Sequence, residues 1–142
     1  MTNKPNFYSL LSHTADLGML IRGNTCEELF RNAGMALLEQ LVDNKAAETG
    51  KRIEISVSGN DPADLMVKWL SEILYLFAGE GLVVTGIYIR SLSQNKISAN
   101  LSVMEYDNRY HEYLREIKAV TYHQIEVKEK RGLWTAKVIF DL

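Results

Sequence analysis

D-P-A-D-L-M-V-K-W-L-S-E-I-L-Y-L-F, residues 61–77, carries the strongest periodic signal in the chain. Leu65, Met66, Trp69, Leu70, Ile73, Leu74 and Phe77 recur three and four residues apart, which places them on one face of a helix. Asp61 followed by Pro62 is an N-cap followed by proline at the first helical position. The stripe should stop near Gly79 or Gly81. A face this wide, holding a tryptophan, needs a large apolar surface to lie on.

That surface is written on either side at period two, the repeat of a strand. Upstream, Ile53, Ile55 and Val57 alternate with Glu54, Ser56 and Ser58. Downstream, residues 83–89 are β-branched and aromatic, with Gly86 a candidate bulge. Ile97, Ala99, Leu101 and Val103 then alternate with Ser98, Asn100 and Ser102, and Ser93-Gln94-Asn95 suits a hairpin connection. Further upstream, Thr25 with Glu28 three residues on forms a capping box. It opens a second helix with Leu29, Phe30, Ala33, Leu37, Leu38 and Leu41 on one face. Leu17, Met19 and Ile21 precede it as a strand. Two long strands, over about 113–128 and 133–141, close the chain. This order predicts an α+β fold, with two helices packed on one face of a mixed, mostly antiparallel sheet as a two-layer sandwich. Residues 1–142 read as one domain, without repeat, linker or low-complexity tract. Only residues 43–50 look loose.

Composition narrows the function. The chain has 142 residues, 46% hydrophobic and 24% charged, enough for one core. Its formal net charge is -2, from 16 Lys+Arg and 18 Asp+Glu. A protein that grips nucleic acid by its phosphates shows a basic excess or stripe. Here Lys128, Lys130 and Arg131 are interrupted by Glu129 and read as a solvated hairpin tip, so contact with RNA is expected through a partner. The single cysteine, Cys26, allows no internal disulfide and suits a reducing compartment. The first six residues are polar, and no apolar run reaches membrane-spanning length. A cytoplasmic location, away from the membrane, is expected.

Three stretches carry candidate chemistry. The first is His13-Thr14-Ala15-Asp16, where Asp16 would ordinarily cap a turn or accept backbone N–H bonds. The second is the carboxyl end, where alternation persists through Ala136, Val138 and Phe140, so the strand should be ordered to Asp141 and Leu142. Two adjacent acidic groups there, counting the α-carboxylate, call for counter-charge, and calcium or magnesium takes oxygen ligands of this kind. The third is residues 116–123, E-I-K-A-V-T-Y-H. On a strand, Ile117, Ala119, Thr121 and His123 share one face, with His123 reading as a core histidine bonded to a backbone carbonyl. Lys118, Val120 and Tyr122 take the other face. Lys118 reads as solvent-facing, and Tyr122 serves packing or function. Cys26 has no histidine nearby in sequence to activate it. Neither phosphate-cradling glycine motif occurs. His13, His111 and His123 lack zinc-site spacing. The residues alone support an oxygen-ligand metal site of undefined activity.

Several segments together resemble the archease family. They are H-T-A-D at 13–16, G-x-T-x-E-E-L-F-x-N-A at 23–33 and D-L-x-x-x-W-L-x-E-x-L-Y-L at 64–76. I-K-A-V-T-Y-H at 117–123 and the terminal W-x-A-x-V-I-x-D-L complete the set. The match runs from about Phe7 to the last residue. The resemblance implies an accessory factor of an RtcB-type RNA ligase, not an enzyme. It would promote guanylylation of the ligase and its multiple turnover in tRNA splicing or RNA repair. It also implies a divalent metal ion (calcium, magnesium or manganese) on Asp16, Asp141 and Leu142. His13, Lys118, Tyr122 and His123 are further functional candidates. Many relatives carry an acidic residue where this chain has Ser12, and Gly-Glu where it has Met104-Glu105. The competing readings are a stand-alone metal-dependent hydrolase or nuclease using Asp16 and Asp141, and a chaperone-like module for a tRNA methyltransferase.

Overall fold

The two helices start by the same device. The computed structural model describes residues 7–11, 16–46 and 50–142. Helix α1 (Cys26–Leu41) is capped by Thr25, whose Oγ1 accepts the Glu28 N–H at 3.0 Å, while the Glu28 carboxylate accepts the Asn24 N–H at 3.3 Å. Helix α2 (Pro62–Ala78) is capped by Asp61, which accepts the Asp64 N–H at 2.8 Å, and the Asp64 carboxylate accepts the Asn60 N–H at 2.7 Å. Gly23 and Gly59 stand in equivalent places. A Cβ on Gly23 would lie 2.6 Å from the Leu29 nitrogen, and one on Gly59 would lie 2.7 Å from the Leu65 nitrogen. The sequence reads as free of repeats, yet a short one is present here: Gly-Asn, a capping residue, two residues, an acid and Leu. It escapes a linear reading because its caps and acids differ in type while doing the same work.

In chain order the strands are β1 (Tyr8–Leu11), β2 (Asp16–Gly23), β3 (Val42–Asn44), β4 (Lys51–Ser58), β5 (Leu82–Leu92) and β6 (Lys96–Glu105). They continue with β7 (His111–Tyr113), β8 (Ala119–Val120), β9 (Glu126–Lys130) and β10 (Leu133–Asp141). Strand β10 is the spine of a five-stranded sheet, with β2 and then β1 on one side and β8 and β9 along the other. Strands β4, β6 and β5 form a three-stranded sheet in that order, and β3 pairs with β7. Every pairing among the described residues is antiparallel. The α+β sandwich expected from the sequence is present, but its strands fall into three sheets. The bulge expected at Gly86 appears as a register shift between Val84 and Gly86, and a second lies between Ile89 and Ser91.

The helices supply the middle of the core. Leu29, Phe30, Ala33 and Leu37 of α1 and Leu65, Met66, Trp69, Leu70 and Ile73 of α2 are fully buried. Trp69 donates its indole N–H to the Phe30 carbonyl at 2.8 Å, so the largest buried side chain leaves no polar atom unpaired.

One expectation fails. The single strand predicted over 113–128 is broken into three pieces: β7 pairs with β3, while β8 and β9 pair with separate stretches of β10. Ile117 and Val120 are both buried although alternation assigns them to opposite faces. The chain then turns over residues 121–124, with Gln124 at φ 55 and the Ile125 N–H donating to the Tyr122 carbonyl at 3.2 Å. The β3–β7 sheet went unforeseen because a three-residue strand is too short to show a period.

Because each strand-to-helix corner brings backbone against backbone, Gly59→Ala should destabilise the fold by about 1–3 kcal/mol. Urea unfolding should show a lower midpoint at unchanged m-value. A midpoint equal to that of the parent protein would mean the corner relaxes without cost.

Candidate functional site

The apolar pattern of two strands fixes where the acidic residues go. In the β2–β10 ladder Phe140 faces Leu17, Val138 faces Met19 and Ala136 faces Ile21, and all six are buried. The alternate residues point to the other face of the sheet. There Asp141 lies directly opposite Asp16. Directly opposed residues bring their Cβ atoms to about 4.5–5.5 Å. A slip of one residue in either strand would turn that strand's aspartate into the core and its apolar set out of it, so the register is strongly held. Asp16 is half-buried, and Asp141 and Leu142 are exposed.

The K-A-V-T segment is stitched to the same strand end. The Lys118 N–H donates to the Asp141 carbonyl at 2.8 Å. Ala119 pairs with Asp141 and Val120 with Phe140. The Ile139 carbonyl accepts from the Thr121 N–H at 3.0 Å and the Thr121 hydroxyl at 2.7 Å. Asp16, Asp141 and Ala119 therefore form one row across three strands, with a methyl group in third place. Lys118 holds Asp141 by its main chain, while the residue also borders two grooves on the helical side. One has a volume near 620 Å³, walled by Leu41, Phe77, Tyr106, Tyr113 and Ile117; the other, near 400 Å³, is walled by Leu74, Tyr75 and Val120.

Tyr122 has a definite partner. Its hydroxyl donates to Asp64 Oδ1 at 2.7 Å, tying this segment to the start of α2. Asp64 also takes the Asn60 N–H and pairs with Lys68 Nζ at 3.2 Å. The Tyr122 bond first, then the Asn60 N–H and the Lys68 ammonium, hold the Asp64 carboxyl below its usual range. The same bond to Asp64 raises the Tyr122 hydroxyl. Asp64 was not among the residues singled out in the sequence. Its linear signals are its place as the acid three residues past the N-cap and as the first residue of the D-L-x-x-x-W-L motif.

The two described histidines, His111 and His123, lie in different parts of the fold. His123 is exposed in the turn after β8, its N–H on Thr121 Oγ1 at 3.2 Å, so the core-histidine reading is wrong. The cause is the turn, which takes it off the strand before alternation could bury it. Of the two, His111 is buried. Its Nδ1 accepts the Asp107 N–H at 2.9 Å, and its Nε2 has no hydrogen-bond partner among the described residues. His13 lies outside the described residues. Burial raises the half-buried Cys26 thiol, which disfavours its nucleophilic thiolate form. Among the described residues no three His, Cys, Asp or Glu side chains form a cation cage. The pair Asp16–Asp141 offers two hard oxygen donors, and a divalent cation there would complete its shell from main-chain oxygens, water or another molecule.

Fold and site define a small α+β sandwich with a carboxylate pair at the end of a ladder whose core face is apolar. The chain belongs to the Archease protein family (MTH1598/TM1083), whose sequence profile matches residues 8–142. It is 32% identical to Protein archease of Methanosarcina mazei, over all of both chains. It is 38% identical to Protein archease of Thermoplasma volcanium, over 95% of this chain and 98% of that one. The solution structure of Methanobacterium thermoautotrophicum protein 1598 superposes with a TM-score of 0.78 at 27% identity, covering 96% of this chain and 99% of that one. A Thermotoga maritima crystal structure, described as an archease and possible chaperone, gives 0.63 at 25% identity, over 100% and 98% of the two chains.

Removing the Tyr122 hydroxyl should change acid and alkaline behaviour in opposite windows. Asp64 titrates below its ordinary 3.8 when folded, so its contribution is present above that pH and lost as pH falls through the lower folded value. Tyr122 titrates above its ordinary 10.0 when folded, so its contribution is present below that pH and lost as pH rises through the raised value. In Tyr122→Phe, NMR titration should find the Asp64 carboxyl moved up toward 3.8, and the stability gap to the parent should close at both extremes. An unmoved Asp64 would show that the hydroxyl is not its principal partner.

Proposed function

We propose that this chain is a metal-bearing accessory protein that activates an RtcB-type RNA ligase, promoting ligase guanylylation and repeated turnover in tRNA splicing or RNA repair. The observation that carries the reading is the direct cross-strand opposition of Asp16 and Asp141. Two carboxylates facing one another on an exposed strand end repel, and a divalent cation relieves that repulsion. Asp16, Asp141 and a main-chain oxygen of Leu142 would hold it, as calcium, magnesium or manganese. When bound, the cation supplies positive charge and an oxygen-binding Lewis acid at the tip of the sheet. Lys118 anchors that tip through its N–H bond to the Asp141 carbonyl.

Action on a protein partner fits membership of the archease family and the description of the Thermotoga maritima relative as a possible chaperone. The net charge of -2 favours reaching RNA through the ligase rather than by direct phosphate binding. No helix among the described residues is long and apolar enough to cross a membrane, and we place the activity in the cytoplasm. A stand-alone hydrolase or nuclease would turn over RNA with no ligase present. A general chaperone for a tRNA methyltransferase would keep its effect after loss of either aspartate.

The test mixes the protein with an RtcB-type ligase and labelled GTP and follows ligase–GMP formation. Asp16→Asn and Asp141→Asn should each reduce it to the level seen with ligase alone, and Lys118→Ala, which keeps the anchoring N–H but removes the ammonium group bordering the two grooves, should weaken it moderately. Adding a divalent cation should raise the Tm of the parent protein and not of the aspartate variants. In chelator, both variants should be as stable as the parent or more so, by up to about 1 kcal/mol, because one like charge is gone. Full stimulation by both variants would rule out the acidic tip as the working part.

A further inference from the structure

The two outer strands of the three-stranded sheet are treated differently. The edge of β5 is broken by two register shifts, and Arg31 Nε donates across it to the Ile87 carbonyl at 3.4 Å. Bulges and covering side chains are how proteins keep an edge strand from recruiting another. Strand β4 has neither. Its eight residues, K-R-I-E-I-S-V-S, pair with β6 in unbroken register and include no proline. Among the described residues no backbone hydrogen bond reaches β4 other than those of its ladder with β6.

Both faces of β4 look unfinished. On the core side Ile53, Ile55 and Val57 are only half-buried, while their partners Leu101, Ala99 and Ile97 are fully buried. The apolar layer therefore runs out to the rim. On the outer side Arg52 and Glu54 are exposed, and neither has an ion-pair partner among the described residues.

We propose that β4 pairs antiparallel with β4 of a second copy of this chain, about a two-fold axis through Ile53. In that register Arg52 of each copy faces Glu54 of the other, giving two opposite-charge pairs from one contact. Ile53 meets its own counterpart, and the methylene stem of Lys51 covers Ile55 of the second copy. The neighbouring registers are worse. An axis through Glu54 sets two like charges face to face, and one through Ile55 sets Arg52 against Ser58 and Glu54 against Ser56. The charge pattern thus selects both the partner and the register. The contact makes a continuous six-stranded sheet and leaves the Asp16–Asp141 edge open, since that edge belongs to the other sheet. One dimer would present two acidic tips.

Sedimentation equilibrium or light scattering across a concentration series tests this, with circular dichroism confirming that each variant is folded. The parent protein should rise from its monomer mass of 16.2 kDa toward twice that value. Glu54→Arg turns two attractions into two repulsions and should weaken association by roughly tenfold or more. The double variant R52E/E54R should restore it. A parent protein that stays monomeric at every concentration overturns the proposal. So does a Glu54→Arg variant that dimerises like the parent, or a double variant that fails to recover.

Discussion

The register between β2 and β10 is the constraint on which the rest of the molecule depends. Six buried side chains from Leu17, Met19, Ile21, Ala136, Val138 and Phe140 meet across it. Each large one contributes about 1.5–3 kcal/mol by leaving water. The like charges at the end of the ladder oppose this by no more than about 1 kcal/mol. The apolar ladder wins by a wide margin, so the Asp16–Asp141 opposition is imposed by the fold and persists whether or not a cation is present. A site that is electrostatically uncomfortable can be kept because it is small compared with what holds it.

Strand β10 also explains why functional candidates from distant parts of the chain arrive together. Strand β2 occupies one of its edges along almost its whole length, and β9 and β8 follow one another along the opposite edge. The two-residue strand β8 is too short to be stable alone. It is held by main-chain bonds to Ile139 and Asp141 and by the Tyr122–Asp64 link to α2. The acidic tip is therefore braced from two directions, by the sheet through Lys118 and Thr121 and by a helix start through Tyr122. Its geometry is set by groups that need not touch a ligand themselves.

The fold class was legible because its signals are local. Caps at Thr25 and Asp61, seven apolar residues at helical spacing in α2 and clean alternation in β2, β4 and β6 each report on a few neighbouring residues. Where local signals were short or ambiguous, the reading went astray. The segment from about Tyr113 to Lys128 looks like one strand because its residues favour extended backbone, but it is divided among β7, β8 and β9. Alternation assigns His123 to the core, and the turn at Gln124 cancels it, while His111, which carries no periodic signal, is buried.

By itself, the sequence determined which residues would be helical, that β2, β4 and β6 would alternate, and that an aspartate closes the last strand, because propensity, capping and amphipathic period act over a few residues. It also held enough spaced motifs to resemble one family along nearly its whole length. Only the tertiary structure decided that Asp141 faces Asp16, that Lys118 anchors this pair through its main chain, that Tyr122 bonds Asp64 and that, among the described residues, β4 pairs on one side alone. Those facts depend on strand order and on pairing across long stretches of chain, which no local pattern encodes.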